Sequence, residues 1–231
     1  MKFYTSVEQV GDNILYRGFD QGRRVQYKES FSPTLFVACP GESKYKTLEG
    51  HNVKPMKFAG PRDAREFMKK YESVQNFDVY GYERFVYQYI SDQHNDEVDY
   101  DFKKLEIFTI DIEVASENGF PEPETASEPL TAITVKMDGK FTTFGIEEYD
   151  NQTSDVTYFQ CYDEFDLINK FLGWWESDYP DIITGWNVQN FDIPYLVNRI
   201  TKMLGEDMAK KLSPWNVLNG KVVDLGMNRK I

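Results

Sequence analysis

The chain has 231 residues, a length that is enough for one large domain or two small ones. Hydrophobic residues make up 41% of it and aromatic residues 16%. Its formal net charge of −12 argues against phosphate binding by bulk charge, and no apolar stretch approaches the roughly 20 residues of a membrane span. With only two histidines and two distant cysteines, the composition also disfavours a zinc site or a histidine-dependent nucleophile. We expect Cys39 and Cys161 to be buried free thiols of a reducing compartment, and His51 and His94 to lie in polar surroundings.

The first hundred residues are typical of short strands separated by turns. The predicted strands are 2–7, 13–18, 24–27, 35–38 and 84–90. A helix is predicted over Pro61–Tyr71, because proline suits a first helical position and Ala64, Phe67, Met68 and Tyr71 follow at helical spacing. The polar, acidic residues 91–101 indicate a boundary, so we expect a first unit of about residues 1–103.

The remaining residues, from about 104 to 231, predict an α/β domain with a mixed sheet. The predicted strands are 105–114, 131–136, 141–146, 156–161 and 181–186, and the predicted helices are 163–177 and 193–204. An Asp138-Gly139 pair favours a tight hairpin between the second and third of these strands, and 115–129 is predicted to be a long loop. The first helix should bury Phe165, Ile168, Phe171, Leu172 and Trp175, with Asp163 as its cap.

Two acidic clusters stand out as candidates for chemistry. Asp111 and Glu113 are two apart on a predicted strand, so both face one side and repel each other unless a cation joins them. An exposed edge strand with acids on its wet face is the alternative. Asn187 and Asp192 follow another strand and precede a helix, where the aspartate could serve simply as a helix cap.

Together these clusters resemble a known family. Asp-Ile-Glu-Val at 111–114 resembles the first exonuclease motif of the family B DNA polymerases, and Trp-Asn at 186–187 with Phe-Asp-Ile-Pro-Tyr at 191–195 resembles the second. Segments at 119–123, 132–134 and 212–214 are similar to the replicative polymerases of T-even-type bacteriophages, so that the resemblance covers most of the chain. It implies a strand-rich N-terminal domain over 1–103 and an incomplete ribonuclease-H-like exonuclease domain with a mixed sheet over 104–231, a mixed α/β fold overall.

The resemblance also implies chemistry. The parent enzyme would be a DNA-directed DNA polymerase that proofreads with two Mg²⁺ or Mn²⁺ ions. Asp111 would bridge both ions, Glu113 would hold the ion on the nucleophile side, and Asp192 would hold the other. Asn187 would position the primer strand or the neighbouring acids. Phe120 would pack against the frayed 3′ end of the primer, although a loop aromatic anchored in a core is the alternative.

The implied partners are primer-template DNA, a single-stranded 3′ end and a sliding clamp, in the cytoplasm of a bacterial host. No membrane partner is implied.

The chain departs from the family pattern in one respect. The family's third exonuclease motif, Tyr-x-x-x-Asp, does not follow Asp192, and the earlier match at Tyr162 and Asp166 is interpreted as a coincidental helix cap. The fourth metal-site acid is therefore missing. The end at residues 228–231 suggests truncation: we expect either an N-terminal region expressed on its own or the product of a naturally split gene. We expect little exonuclease activity and no nucleotide incorporation from this chain alone.

Two other functions stay open. A basic helix face formed by Arg62, Arg65, Lys69 and Lys70 could bind RNA or template DNA, although a solvated face that merely supports its neighbour has the same composition. A free-standing nuclease of the same fold is disfavoured by the missing fourth acid.

Overall fold

A computed structural model describes residues 2–117 and 119–220. The chain divides into two compact units between Phe102 and Lys103. Within the described ranges, no helix has the length and apolar character needed to cross a membrane. The residues at 228–231, which suggested truncation, lie outside the description.

The first unit consists of two antiparallel sheets and two helices. β1–β2–β3 form one sheet, and the other has the order β5-β6-β4-β7. The elements are β1 (Lys2–Val10), β2 (Asn13–Asp20), β3 (Arg23–Ser30), β4 (Thr34–Ala38), β5 (Tyr45–Lys46), β6 (Asn52–Lys57), α1 (Pro61–Tyr71), β7 (Val79–Tyr80) and α2 (Phe85–Gln93), followed by a 3₁₀ turn at Phe102–Lys104. The predicted bounds of α1 are confirmed, and four of the five predicted strands are present with longer bounds.

The strand predicted over 84–90 is wrong, because this segment forms α2. Its aromatic and β-branched residues favour a strand by composition. The decisive signal is spacing: Phe85 and Tyr89, four residues apart, are both buried, which is a helical period. The Gln88 side chain donates to the carbonyl of Thr34 (2.8 Å) and accepts from its amide (2.9 Å). A side chain of α2 thus supplies hydrogen bonds to both backbone groups of the first residue of β4.

The predicted polar surroundings of His94 are also wrong. Its ring lies 5.5 Å from the ring of Tyr4 and 6.5 Å from that of Tyr16, and the Tyr16 hydroxyl is 3.4 Å from Nε2. Burial among these rings, with a smaller effect of the Lys2 charge, lowers the pKa of His94. The folded first unit therefore favours the neutral form of this imidazole.

We expect this histidine to make stability depend on pH. Its folded pKa lies below the unfolded value of about 6.5, so below that pH the unfolded state binds more protons and the free energy of unfolding falls. Urea unfolding between pH 7 and pH 5 should show a shallower decline for His94→Gln than for the wild type. His51→Gln, at an exposed site, should keep the wild-type decline. Equal slopes for His94→Gln and the wild type would contradict this assignment.

The second unit is built on one mixed sheet, as predicted. Its strand order is β11-β10-β9-β8-β12, with antiparallel pairs β8–β9 and β9–β10 and parallel pairs β10–β11 and β8–β12. The elements are β8 (Ile107–Val114), β9 (Leu130–Met137), β10 (Lys140–Gly145), β11 (Val156–Gln160), α3 (Glu164–Trp175), β12 (Ile182–Thr184), α4 (Asp192–Leu204) and α5 (Glu206–Ala209), then a 3₁₀ turn at Lys210–Leu212. No helix or strand is assigned to residues 115–117 and 119–129, in agreement with the predicted loop.

The hairpin between β9 and β10 follows from its two turn residues. Met137 pairs with Lys140, and between them Asp138 has φ 48° and Gly139 has φ 79°. Two consecutive positive φ values define the turn that matches the twist of the flanking strands, and Asp-Gly tolerates them best. The predicted hairpin is confirmed.

Helix α3 begins with a reciprocal cap. Asp163 accepts from the Asp166 amide (2.8 Å), and the Asp166 carboxylate accepts from the Tyr162 amide (3.0 Å). This confirms that the early Tyr-x-x-x-Asp match is a helix start. One member of the predicted buried stripe is wrong: Phe165 is 56% exposed, and Leu167, better aligned with the stripe, is buried.

Both cysteines are free thiols, as predicted. Cys161 is buried, and burial raises its pKa, so the thiol is held protonated. Cys39 is only partly buried, contrary to the prediction, because it follows the end of β4 instead of facing a core.

Candidate functional site

The first acidic cluster lies on β8, which alternates strictly between faces. Ile110 and Ile112 are buried in the hydrophobic core of the second unit, while Asp111 and Glu113 are exposed on the opposite side. Strand β8 lies inside the sheet, between β9 and β12, and is therefore not an edge strand. The pairing with β12 ends where Thr184 meets Thr109, so the acids lie just beyond the point at which β8 loses one neighbour.

The second cluster lies beside β8 beyond the end of its pairing with β12. After Thr184 the chain passes close to β8, so close that a Cβ on Gly185 would stand 2.5 Å from the Ile110 carbonyl oxygen. A turn follows, and Asp192 begins α4 with only 3% of its surface exposed. Its Oδ1 accepts from the backbone amide of Ile112 at 3.2 Å. A buried carboxylate thus takes the hydrogen bond that a longer parallel strand would have made.

This geometry differs from a simple helix cap. The N-cap position of α4 is Phe191, and no side chain caps the helix there, whereas the Asp192 carboxylate is directed at β8. Parallel strands place their carboxyl ends at one edge of a sheet, so the end of β12 brings Asp192 to the segment that carries Asp111 and Glu113.

The electrostatics of Asp192 reflect this placement. Desolvation by burial raises the pKa of its carboxyl, and the negative charges of Asp111 and Glu113 raise it further, while hydrogen bonds from the amides of Ile112 and Asp192 itself oppose the shift. The negative charges of Asp111 and Glu113 thus oppose ionisation of Asp192. A cation between them would relieve that repulsion.

The donor set suits a hard divalent cation, because all three side chains offer only carboxylate oxygens. Among the side chains of residues 2–117 and 119–220, no group of three or more His, Cys, Asp or Glu is arranged as a metal centre. By donor chemistry Asp111, Glu113 and Asp192 fit such an ion, but its binding would have to draw the three carboxylates closer together.

An aromatic pair is formed by the loop and the second cluster. Phe120 is 82% exposed and its ring lies 5.6 Å from that of Phe191, so it is not anchored in a core. Phe191 in turn stacks on the buried Tyr195 at 5.7 Å. Trp186, also within the second cluster, is 93% exposed. Phe191 and Trp186 belong to the second motif, but no role was predicted for either, although both adjoin predicted site residues.

Asn187 shapes the turn that leads to Asp192. Its φ of 56° lies in the left-handed region that asparagine tolerates better than most residues. Its carbonyl accepts from the amides of Asn190 (3.0 Å) and Phe191 (2.9 Å), and its side-chain oxygen accepts from the Asn190 amide group (3.0 Å). The side chain is exposed, so it is available to a ligand while the backbone sets the turn.

In the first unit, the basic face of α1 is partly engaged in contacts within the protein. Arg62 pairs with Glu66 at 3.2 Å, and Arg65 donates to Gln9 (2.8 Å) and lies over the ring of Phe85. Lys69 and Lys70 are exposed. RNA or template binding by Arg62, Arg65, Lys69 and Lys70 stays a prediction, and loss of RNA affinity on replacing all four would support it.

Comparison with known proteins identifies a family and several relatives of this chain. The model of the family described as DNA polymerase family B, exonuclease domain, matches residues 66–229. The DNA-directed DNA polymerase of Escherichia phage RB69 is 34% identical over 253 aligned residues and that of Enterobacteria phage T4 is 32% identical over 250, each covering 96% of this chain. A DNA polymerase of Archaeoglobus fulgidus is 32% identical over 99 residues, covering 43% of this chain and 10% of its own. The chain spans 28% of the length of the two phage relatives.

Proposed function

Because the chain belongs to the exonuclease-domain family of the family B DNA polymerases, we propose that it is part of a longer DNA-directed DNA polymerase and supplies that enzyme's 3′→5′ exonuclease site. One observation supports this above the others: the buried Asp192 carboxylate accepts a hydrogen bond from the amide of Ile112, the residue that separates Asp111 from Glu113 in the sequence. In this proposal residues 1–103 form the N-terminal domain, and residues 104–231 belong to a ribonuclease-H-like exonuclease domain.

Asp111, Glu113 and Asp192 are proposed to hold two divalent ions, Mg²⁺ or Mn²⁺. Bound ions would activate a water and stabilise the leaving 3′ oxygen of a phosphodiester. The protein's own contribution is placement. Strand β8 presents Asp111 and Glu113 on one face, and the amide of Ile112 fixes the direction of the third carboxylate.

The proposed substrate is a single-stranded 3′ end of a primer, delivered from primer-template DNA. Phe120 and Phe191 form a tilted aromatic pair with an exposed member, on which a terminal base can stack whatever its identity. Asn187 lies on the turn before Asp192, where its exposed side chain can contact the strand. Lack of base selectivity suits a proofreading site, which must accept any mispaired nucleotide.

The phage origin of the two relatives that cover 96% of this chain supports action in the cytoplasm of a bacterial host. A sliding clamp is a further proposed partner of the longer enzyme. Both remain part of the proposal.

Digestion of a 5′-labelled single-stranded oligonucleotide by the longer polymerase tests the proposed function. We expect a ladder of products shortened one nucleotide at a time from the 3′ end, dependent on Mg²⁺ and stopped by a chelator. Internal cleavage, shortening from the 5′ end or cleavage in the presence of chelator would each contradict the proposal.

Phe120→Ala should weaken binding of a single-stranded 3′ end by about 1–3 kcal/mol, the usual contribution of stacking one base on an aromatic ring. Fluorescence anisotropy of a labelled oligonucleotide measures this. Tyr162→Ala removes an aromatic side chain that is also exposed, at 92%, and should leave binding unchanged. Equal losses in the two variants would show that exposed aromatic surface in general, and not the pair with Phe191, binds the DNA.

A further inference from the structure

The loop that carries Phe120 is held by one face of α4. The Tyr195 hydroxyl donates to the Glu128 carbonyl (2.6 Å), and the Asn198 amide donates to the Pro123 carbonyl (2.8 Å). Arg199 donates through Nη1 to two further carbonyls, those of Ala126 (3.0 Å) and Ser127 (2.9 Å). Four carbonyls of loop 119–129 thus accept hydrogen bonds from side chains of the helix that begins with Asp192.

Arg199 is itself fixed by a buried partner. Its Nε and Nη2 donate to the two carboxylate oxygens of Glu164 at 2.7 and 2.6 Å, and the two side chains are only 9% and 10% exposed. Glu164 Oε1 also accepts from the Leu130 amide at 2.7 Å, where the loop enters β9. The pair therefore links α3, α4 and the end of the loop. Two parallel hydrogen bonds between a guanidinium and a carboxylate fix the orientation of both groups, which a single hydrogen bond does not.

The loop conformation indicates that it needs such a restraint. Ala126 is fully buried and has φ 38°, in the left-handed region that is costly for a residue with a Cβ. Its amide donates to the Glu122 carbonyl (2.9 Å), and its carbonyl accepts from Arg199. Strained backbone of this kind persists where the surroundings determine it, and it clusters at functional sites.

We propose that the Arg199–Glu164 pair is a positioning unit for the substrate: it fixes loop 119–129 so that Phe120 stands beside Phe191 to receive the 3′-terminal base. The inference rests on the proposed function. It assigns α4 two tasks, since the same helix places the Asp192 carboxylate at its start and the base-stacking loop through Asn198 and Arg199. Neither Arg199 nor Glu164 touches the reacting atoms in this assignment.

The test uses the 231-residue chain and a single-stranded oligonucleotide with 2-aminopurine at its 3′ end, whose fluorescence is quenched when the base stacks. Ca²⁺ replaces Mg²⁺ so that binding is observed without cleavage. The double variant Glu164→Leu/Arg199→Met exchanges the buried pair for apolar side chains of similar size, a change that folds often tolerate. It removes every hydrogen bond from the pair to the loop. We expect cooperative unfolding to be retained and the quenching to fall to the level of Phe120→Ala.

The control is a second ion pair of equal sequence separation. Lys211 and Glu176 lie 3.0 Å apart in the same unit, are about one-third exposed, and bond nothing in loop 119–129 among their described contacts. Glu176→Leu/Lys211→Met should keep wild-type quenching. Arg199→Lys keeps the charge but loses the fork, and it should lose part of the quenching while remaining folded.

The outcomes separate the two levels of the proposal. A wild-type chain that leaves the fluorescence unchanged, or that quenches no more than Phe120→Ala, overturns the proposed function and the inference with it. Full quenching by the wild type together with full quenching by the folded double variant overturns the inference alone, and shows that the pair serves stability only. If the double variant does not fold, full quenching by folded Arg199→Lys overturns the inference in the same way.

Discussion

Replacing Asp111 with alanine should slow the release of 3′-terminal nucleotides by the longer polymerase on the order of 10²-fold or more. Cleavage of a phosphodiester by a two-ion site depends on correct placement of both ions, and Asp111 is the acid that the proposal assigns to both. The measurement is the initial rate of digestion of a labelled single-stranded oligonucleotide. Glu148→Ala removes an exposed acid from the same unit and should leave the rate unchanged.

The same substitution should not lower stability in the absence of metal. The charge of Asp111 helps to raise the pKa of Asp192, so its removal relieves repulsion in the folded state. The free energy of unfolding of Asp111→Ala should therefore equal or exceed that of the wild type. A variant that keeps full nuclease activity would contradict the site, and one that loses activity only because it unfolds would leave Asp111 a structural residue.

Arg199→Met alone should lower the free energy of unfolding by about 3–5 kcal/mol, because it leaves the buried Glu164 carboxylate without its partner. The Ala126 and Ser127 carbonyls lose their donor in the same step. Urea unfolding of the 231-residue chain measures the change. The matched control is Lys211, which forms a more exposed ion pair with Glu176. Lys211→Met should lower the free energy of unfolding by at most about 1 kcal/mol.

Two results would decide the interpretation of that pair. Adding Glu164→Leu to Arg199→Met should recover much of the lost stability, because the unpaired charge is then gone. Similar small losses for Arg199→Met and Lys211→Met would show that solvent reaches Glu164, and would contradict the buried geometry.

Much of the second unit could be predicted from local patterns. The alternation of Phe108, Ile110 and Ile112 with Thr109, Asp111 and Glu113 places the two acids on one face whatever the rest of the chain does. The Asp138-Gly139 turn is fixed by backbone preferences of two residues. Helix α2 was wrongly predicted as a strand because its aromatic composition favours a strand. The burial pattern that marks it as a helix depends on packing within the first unit.

The missed parts of the candidate site depend on contacts distant in sequence. Arg199 falls on the buried stripe of α4 beside Tyr195 and Ile200, which signals that it needs a partner, but Glu164 is 35 residues away on another helix. The burial of Asp192 follows from where β12 stops pairing with β8, and periodicity does not specify that point. A local pattern gives the residue types of the site, whereas tertiary pairing decides which of them meet.

Binding of Mn²⁺ to the 231-residue chain, followed by electron paramagnetic resonance, tests most directly whether Asp111, Glu113 and Asp192 form one cation site. We expect Asp111→Asn, Glu113→Gln and Asp192→Asn each to weaken Mn²⁺ binding, because each removes a charged oxygen ligand from a shared ion. Glu148→Gln, which neutralises an exposed acid elsewhere in the second unit, should bind Mn²⁺ as the wild type does. If Asp192→Asn binds Mn²⁺ as tightly as the wild type, Asp192 serves only to bond the Ile112 amide, and the three acids do not form a single site.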